Sequence, residues 1–508
     1  MSADTAPATA TSTEHLDVLV VGGGLSGVGA GYRLQTECLD KTYAILESRD
    51  ALGGTWDLFR YPGIRSDSDI FTLAYPFEPW REKESIVDGA AIRRYIEHTA
   101  TKHGIDRHIR LQRRVVAADW STADQRWTVT VESTDPASPG TSTLTCSFLY
   151  ACSGYYDYAE PYAATIPGIA DFGGQVVHPQ FWPEDLEYAG KRVVVIGSGA
   201  TAVTLVPSMA GEAEHVTMLQ RTPSWIAVAP RVDKLANSMR ERLPAPLAHR
   251  LIRTKNVLVT QALFQFCQRF PAQAKKLLLQ GVEKGVGAER FDPADFTAPY
   301  DPWDQRLCLV PSGDLFKAIR RGDADIVTDR IAGFTADAVT LESGRELPAD
   351  VVVTATGLQM QLFGGVRPSV DGETVTLNEQ FVWRGAMITG LPNFAICVGY
   401  TNASWTLRAD LSSRLVCKIL RHLDARDLGA VVPPLEEGLT ERPLLDLSSG
   451  YVTRALPHLP RQGDSGVWRV RQNYVVDAAT TLRTDLDATL EAIPHTAARS
   501  TRTTTVPA

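Results

Sequence analysis

Twice in 508 residues the chain runs an apolar strand straight into a glycine turn and out into a helix. The first passage is "HLDVLVVGGGLSGVGAGYRLQ", beginning at His15, in which Gly22, Gly24 and Gly27 form a GxGxxG spacing. The second is "KRVVVIGSGATAVTLVP", beginning at Lys191, with Gly197, Gly199 and Ala202 in the equivalent places. Such a turn lets the backbone reverse sharply and come close to a pyrophosphate. The helix behind it presents unpaired N–H groups and the positive end of its dipole to that ligand. A glycine triplet alone has many structural uses, whereas a complete strand–turn–helix–strand crossover has few.

The two crossovers end differently. The strand after the first, "YAILE", closes on Glu47, a carboxylate suited to a ribose 2′-hydroxyl. The strand after the second, "HVTMLQRTP", closes on Arg221, which suits a 2′-phosphate that a glutamate would repel. The first fold therefore suits FAD or NAD and the second suits NADP(H). As a lone residue, Arg221 would be a solvated strand-end charge; its place in a full crossover favours the functional reading. Two further strands, "FLYACSGYY" around Gly154 and "LPADVVVTATGL" around Gly357, have the form expected where the chain leaves each fold.

This pattern predicts an α/β protein with two dinucleotide-binding, Rossmann-like domains, the NADP domain inserted in the FAD domain. The expected division is an FAD domain over 15–155 and 359–490, an NADP domain over 156–225 and 304–358, and a helical insert over 226–303. Disordered tails are expected over 1–14 and 491–508. In the insert, "KLANSMRERL", "HRLIRTKNVLVTQALFQFCQRF" and "AQAKKLLLQGVEKG" carry apolar residues at helical spacing. Residues 231–290 hold twelve Lys or Arg against four Asp or Glu, a local excess of eight positive charges. A solvated helix face is one reading of that excess, and peripheral contact with anionic lipid is another.

A net charge of −8 gives no reason to expect a nucleic-acid partner. Seven scattered cysteines without a CxxC pair argue against a disulfide framework, a metal site or a redox dithiol, so no metal is expected. The opening "MSADTAPATATSTE" has neither a basic start nor an apolar run, and no stretch approaches the ~20 apolar residues of a spanning helix. A reducing, cytoplasmic setting is the expectation. Oligomeric state is not legible.

Between the folds lies "FGGQVVHPQFWP", which no amphipathic period explains. Its Phe172, Gly174, His178, Trp182 and Pro183 match FxGxxxHxxxW followed by Pro or Asp, and here the chain resembles the type I Baeyer–Villiger monooxygenases. "GGTWDLFRYPGIRSDSD", "DPWDQRLCLVPSGDLFKAIR" and "VGYTNASWTLRADL" extend the resemblance from about His15 into the 480s. They look most like the mycobacterial ethionamide-activating branch.

The resemblance implies FAD and NADPH as cofactors, and O2 with a small ketone or sulfide as substrates. The oxygen donor would be a C4a-(hydro)peroxyflavin, giving esters or lactones from ketones and sulfoxides from thioethers. It implies a catalytic Arg306 partnered by Asp67, with His178 and Trp182 acting through domain movement. FAD contacts are expected from Gly22, Gly24, Ser26, Gly27, Glu47, Thr55, Trp56, Asp57, Leu58, Asp67 and the backbone near Val115. NADP contacts are expected from Arg65, Ser66, Gly197, Ser198, Gly199, Ala200, Thr201, Ala202, Val203, Arg221 and Thr222, with Asn402 and Trp405 near flavin and nicotinamide. The insert is expected to help shape the substrate site. Gln305 departs from the lysine many relatives carry before the arginine, which puts more weight on Arg221 for NADPH preference. The alternatives are a flavin monooxygenase acting mainly on sulfur or nitrogen and a flavin-binding regulatory protein without turnover.

Overall fold

The computed structural model describes residues 13–436 and 438–496. Two sheets organise them. In the first, Thr141–Ala151, His15–Val21, Tyr43–Leu46 and Ile109–Arg110 lie side by side and parallel. Phe394–Ile396 returns from far along the chain to pair with Leu149–Ala151. Beyond Thr141–Ala151 the path continues through an antiparallel extension, Arg126–Ser133 and Arg113–Ser121, and ends in the short strands Pro368–Val370 and Glu373–Thr374. The second sheet has five parallel strands in the order Ala324–Thr328, His215–Gln220, Arg192–Ile196, Val351–Thr354, Gln175–Val177.

The inner residues Val18–Val21 and Val193–Ile196 are apolar without interruption because both faces are covered. In the first sheet Val18, Val20 and Ile45 pack on one face, while Leu19, Ala44 and Leu46 pack on the other. In the second, Val193 and Val195 face one core and Val194 and Ile196 the other. The long helix Trp405–Arg426 lies against the first glycine-turn helix, Leu25–Glu37. Arg33 and Asp410 bridge them at 2.7 Å.

The helical segments of the insert are present as Lys234–Arg242, Ala245–Arg269 and Pro271–Val286. The insert does not begin as helix, however. Ile226–Ala229 is a strand paired in parallel with Cys308–Pro311, Val228 opposite Val310, so its β-branched residues complete a ladder across the two ends of the insert. The closing tail also starts later than expected. Glu491–Pro494 pairs antiparallel with Leu428–Val432, and Gln125 fixes it by donating to the Pro494 carbonyl at 2.6 Å and accepting from Thr496 N–H at 3.0 Å. Residues 1–12 and 497–508 of the two expected tails lie outside the described residues.

A cleft between two glycine turns

The turns differ from ordinary loops in what a side chain would strike. Gly22 has φ +107° and Gly197 φ +140°, and a Cβ on Gly197 would lie 2.2 Å from the Ala355 carbonyl oxygen. Gly27 cannot carry a Cβ at all, since it would sit 1.8 Å from the oxygen of Gly22. Each helix then starts at a glycine, Gly24 or Gly199, with no side chain capping its first N–H groups. Those donors remain available for a phosphate.

Both turns open into one cleft of about 1480 Å³, larger than the ~300–1,000 Å³ usual for a single small ligand. Gly22, Gly24, Ser26, Glu47, Thr55, Trp56 and Val115 line its first half. Gly197, Ser198, Gly199, Ala200, Thr201, Val203, Arg221 and Thr222 line its second. Arg65, Ser66, Asp67, Gln305, Arg306 and Trp405 also reach it. Glu47 is 4 % exposed, and its carboxylate accepts from the Gly23 N–H at 2.7 Å. Burial raises the Glu47 pKa, and the hydrogen bonds from Arg49 and Gly23 N–H offset only part of that. Trp405 is held by a 2.8 Å bond from Nε1 to Ser26 Oγ.

At the centre Arg306 grips Asp67 with two donors, Nε to Oδ2 at 2.6 Å and Nη2 to Oδ1 at 2.8 Å. This fork geometry is the strong form of a charge-assisted pair. Burial alone would lower the Arg306 pKa, but the nearby Asp67 and the hydroxyls of Tyr155, Tyr451 and Tyr156 leave it raised. The arginine thus keeps its charge in a partly dry cleft. Arg65, from the same segment as Asp67, is tied to Asp314 at 2.5 Å.

Several expected site residues lie elsewhere. Asp57 does not face the cleft; its fully buried carboxylate is held by Arg49 at 2.7 Å, Arg93 at 2.8 Å and Arg60 at 3.1 Å. Leu58 joins the core beneath the second sheet, so these two residues pin the 53–69 segment and leave its flanks to line the cleft. Gly27 and Ala202 shape their turns from behind, the latter fully buried. His178 and Trp182 are also outside the cleft lining. His178 caps the short turn Pro179–Phe181, its Nδ1 accepting from Gln180 N–H at 3.2 Å, and Trp182 packs against the core of the second sheet. Asn402 is buried and donates to the Gln472 carbonyl at 2.8 Å. Of the insert, only Tyr300 among the described residues reaches the cleft.

Other parts of the cleft are lined by residues the sequence did not single out. Tyr155 and Tyr156 share a 2.8 Å hydroxyl contact, and Tyr155 stacks on Trp405 with ring centres 5.0 Å apart. Tyr451 and Arg454 also line the cleft, with Arg454 lying 3.5 Å from the Tyr162 ring centre. Arg330 is a second cation near the strand of the second turn, beside Asp329, whose N–H donates to the Gln220 carbonyl. The "SGYY" that follows the strand exit carried the first two tyrosines in plain view; nothing in sequence signals Tyr451 or Arg330.

Comparison with known proteins agrees with this geometry. Residues 71–363 match the family described as flavin-binding monooxygenase-like, and residues 20–81 match an NAD(P)-binding Rossmann-like domain. The chain is 50% identical over 479 residues to the FAD-containing monooxygenase EthA of Mycobacterium tuberculosis, covering 94% of this chain and 97% of that protein. EthA of Mycolicibacterium smegmatis is likewise 50% identical over 468 residues, covering 92% and 94%. A solved structure of an oxidized steroid monooxygenase bound to NADP superposes with a TM-score of 0.74 at 21% identity, over 95% of this chain and 100% of that one, a likeness of fold. Two glycine turns facing one cleft, and half of all residues shared along nearly the whole length with these FAD enzymes, converge on one conclusion: the chain belongs to the flavin-binding monooxygenase-like family and is an FAD-containing, NADPH-dependent monooxygenase.

Proposed function

We propose that this enzyme is a Baeyer–Villiger monooxygenase that inserts one oxygen atom beside a ketone carbonyl to give an ester or lactone, with thioether sulfoxidation as a second outcome of the same cleft. The other atom of O2 leaves as water, and NADPH supplies the two electrons. The observation that carries the proposal is the bidentate Arg306–Asp67 pair between the two glycine turns.

The residues fit both cofactors. Uncapped helix N-termini at Gly24 and Gly199 can take pyrophosphates, and the cleft has volume for more than one ligand. Gly22, Gly24, Ser26, Glu47, Thr55 and Trp56 would hold FAD; Gly197, Ser198, Gly199, Ala200, Thr201, Arg221 and Thr222 would hold NADPH. Bound there, FAD would supply O2 activation with electrons from NADPH.

The protein's share is charge and position. A carbonyl is attacked by an anionic oxygen, whereas a thioether attacks an electrophilic one. Arg306 places a permanent positive charge where negative charge develops, and Asp67 fixes the plane of its guanidinium. Tyr155, Tyr156 and Tyr451 stand near it with their rings and lower the local polarity of the cleft. His178 and Trp182 would act as positioning residues through the strand Gln175–Val177 at the edge of the second sheet.

Incubation with a ketone and a thioether in parallel, with NADPH consumption and product identity both measured, tests this reading. Ester or lactone from the ketone is the expected result. Sulfoxide from the thioether, with only hydrogen peroxide in the ketone arm, would reassign the enzyme as an S-oxygenase.

A further inference from the structure

Ten of the sixteen large apolar side chains that stand exposed among the described residues fall between Val228 and Leu277, a stretch of fifty residues. On an ordinary surface such residues are scattered singly. We infer that this part of the insert is a docking surface for an anionic lipid bilayer, which takes the exposed leucines among its acyl chains while basic side chains meet its phosphates.

The helix Ala245–Arg269 carries the core of the surface. Leu247, Leu251 and Leu258 recur at spacings of four and seven, which puts them on one face, and they are 45, 41 and 53 % exposed. In the second half of the helix Val259 and Leu263, about a third of a turn round from these leucines, are exposed as well. The neighbouring helices, which pack on this one, add Leu235 and Leu277, 54 and 58 % exposed. In its first half, other sides of the helix anchor it to the body. Ala248 and Ile252 are buried there, and Arg253 donates to the carbonyls of Phe71 at 3.0 Å, Thr72 at 3.3 Å and Ala74 at 2.8 Å. The apolar face is therefore held outward by a fixed platform, and the cleft does not use it, since only Tyr300 of the insert reaches that far among the described residues.

Charge selects the occupant. The chain as a whole carries −8, yet residues 231–290 carry twelve basic against four acidic side chains. Arg242, Arg250, Arg269 and Lys276 are exposed and make no ion pair with the described residues. Exposed aliphatic residues flanked by unpaired cations are the composition of a helix that lies in a membrane interface. The exposed large apolar set of this stretch is Leu, Val and a single Phe, without the Trp or Tyr that anchors most protein interfaces. No described helix is long and apolar enough to cross a bilayer, so the contact is one of lying on the surface.

The test is flotation of the full-length, FAD-loaded protein with vesicles. One arm uses phosphatidylcholine alone, the other phosphatidylcholine with about a third phosphatidylglycerol, each at low and high salt. The protein should float with the anionic vesicles, release at high salt and bind the neutral ones poorly. The triple variant L251D/L258D/L277D should lose flotation by about tenfold or more while keeping its FAD content, thermal midpoint and NADPH oxidation, since none of the three side chains is buried or lines the cleft. Absence of flotation, or flotation unchanged in the triple variant, overturns the proposal. So does a wild-type dimer that the same substitutions break without any vesicle binding, which would make the face a contact between two copies.

Discussion

The two crossovers start from the same backbone device and diverge at each point where a ligand would be read. Gly24 and Gly199 hold nearly identical φ, −80° and −81°, and both open a helix without a side-chain cap. At the third position the first turn has Gly27 pressed on the Gly22 carbonyl, whereas the second accommodates Ala202. At the end of the next strand Glu47 is 4 % exposed and already bonded to its own turn, while Arg221 stands exposed at the rim of the cleft. An enclosed reader suits a cofactor that stays, and an open one suits a cofactor that arrives and leaves with every turnover. On the function proposed above, this asymmetry would carry the division of labour between FAD and NADPH, and substitutions can break it one side at a time.

The largest effect is expected where the two halves meet. Arg306→Ala removes the permanent charge but leaves both glycine turns intact. FAD content and reduction by NADPH should survive, whereas ketone oxygenation should fall by about 100- to 1,000-fold, the ~2.7–4 kcal/mol typical of a lost electrostatic stabiliser. The electrons should appear as hydrogen peroxide. Arg306→Lys should recover little, because an ammonium cannot reproduce the two-donor grip on Asp67. Ester yield near wild type in the alanine variant would move the catalytic charge elsewhere in the cleft.

Next comes Arg221→Ala, which makes the second reader neutral. Loss of a charge-assisted contact worth ~1.5–3 kcal/mol should weaken NADPH by roughly 10- to 150-fold and leave NADH nearly unchanged. Equal losses for both nucleotides would show that Arg221 does not read the 2′-phosphate. If a tenfold preference for NADPH persists, Arg330 on the same side of the cleft becomes the second reader.

What the sequence could convey follows from how local each feature is. Glycine turns, buried strands and strand-end charges are written in consecutive residues, so both crossovers and the charges that end them were legible, and the family resemblance pointed to Arg306 and Asp67, which the fold brings together from distant parts of the chain. The tyrosine wall was not legible, because Tyr451 meets Tyr155 and Tyr156 only through tertiary packing. Asp57 misled for the opposite reason. It stands in a motif that lines the cleft, but its carboxylate turns into three arginines whose positions in the chain give no hint of convergence. The insert showed its helices by periodicity, yet periodicity cannot say whether an apolar face is covered, and here a large part is not.

A third prediction tests the packing difference directly. Gly27→Ala would place a methyl 1.8 Å from the Gly22 oxygen, forcing turn and helix apart. Overpacking of this kind costs ~1–3 kcal/mol, and the displaced helix N-terminus should lose FAD. Ala202→Gly, the reciprocal change, should cost only the ~1 kcal/mol of helix propensity and keep nucleotide binding. Thermal midpoints and bound-flavin absorbance measure both. Similar behaviour of the two variants would erase the distinction between a tight first turn and a looser second one.

The smallest effect is expected at His178, in the loop that joins the folds. Its Nδ1 caps the Pro179–Phe181 turn, while its Nε2 is buried without a partner among the described residues. Losing a cap costs about 1 kcal/mol, and releasing an unpaired buried N–H returns part of that, so His178→Ala should be only mildly destabilised at neutral pH. Burial lowers the His178 pKa below its ordinary value. The folded chain therefore disfavours the imidazolium. The stability this contributes is complete above the unfolded pKa of about 6.5 and drains away as pH falls through the lowered folded value. Wild type should accordingly lose more stability on mild acidification than His178→Asn, which keeps a good capping oxygen but cannot titrate. If the loop also holds the domains in a shielding arrangement, His178→Ala should release more hydrogen peroxide per NADPH and His178→Asn less. Thermal midpoints on either side of pH 6.5, together with peroxide yield, decide the matter. Identical acid sensitivity in wild type and the asparagine variant, with coupling unaltered in both variants, would reduce His178 to a residue that merely fills the loop.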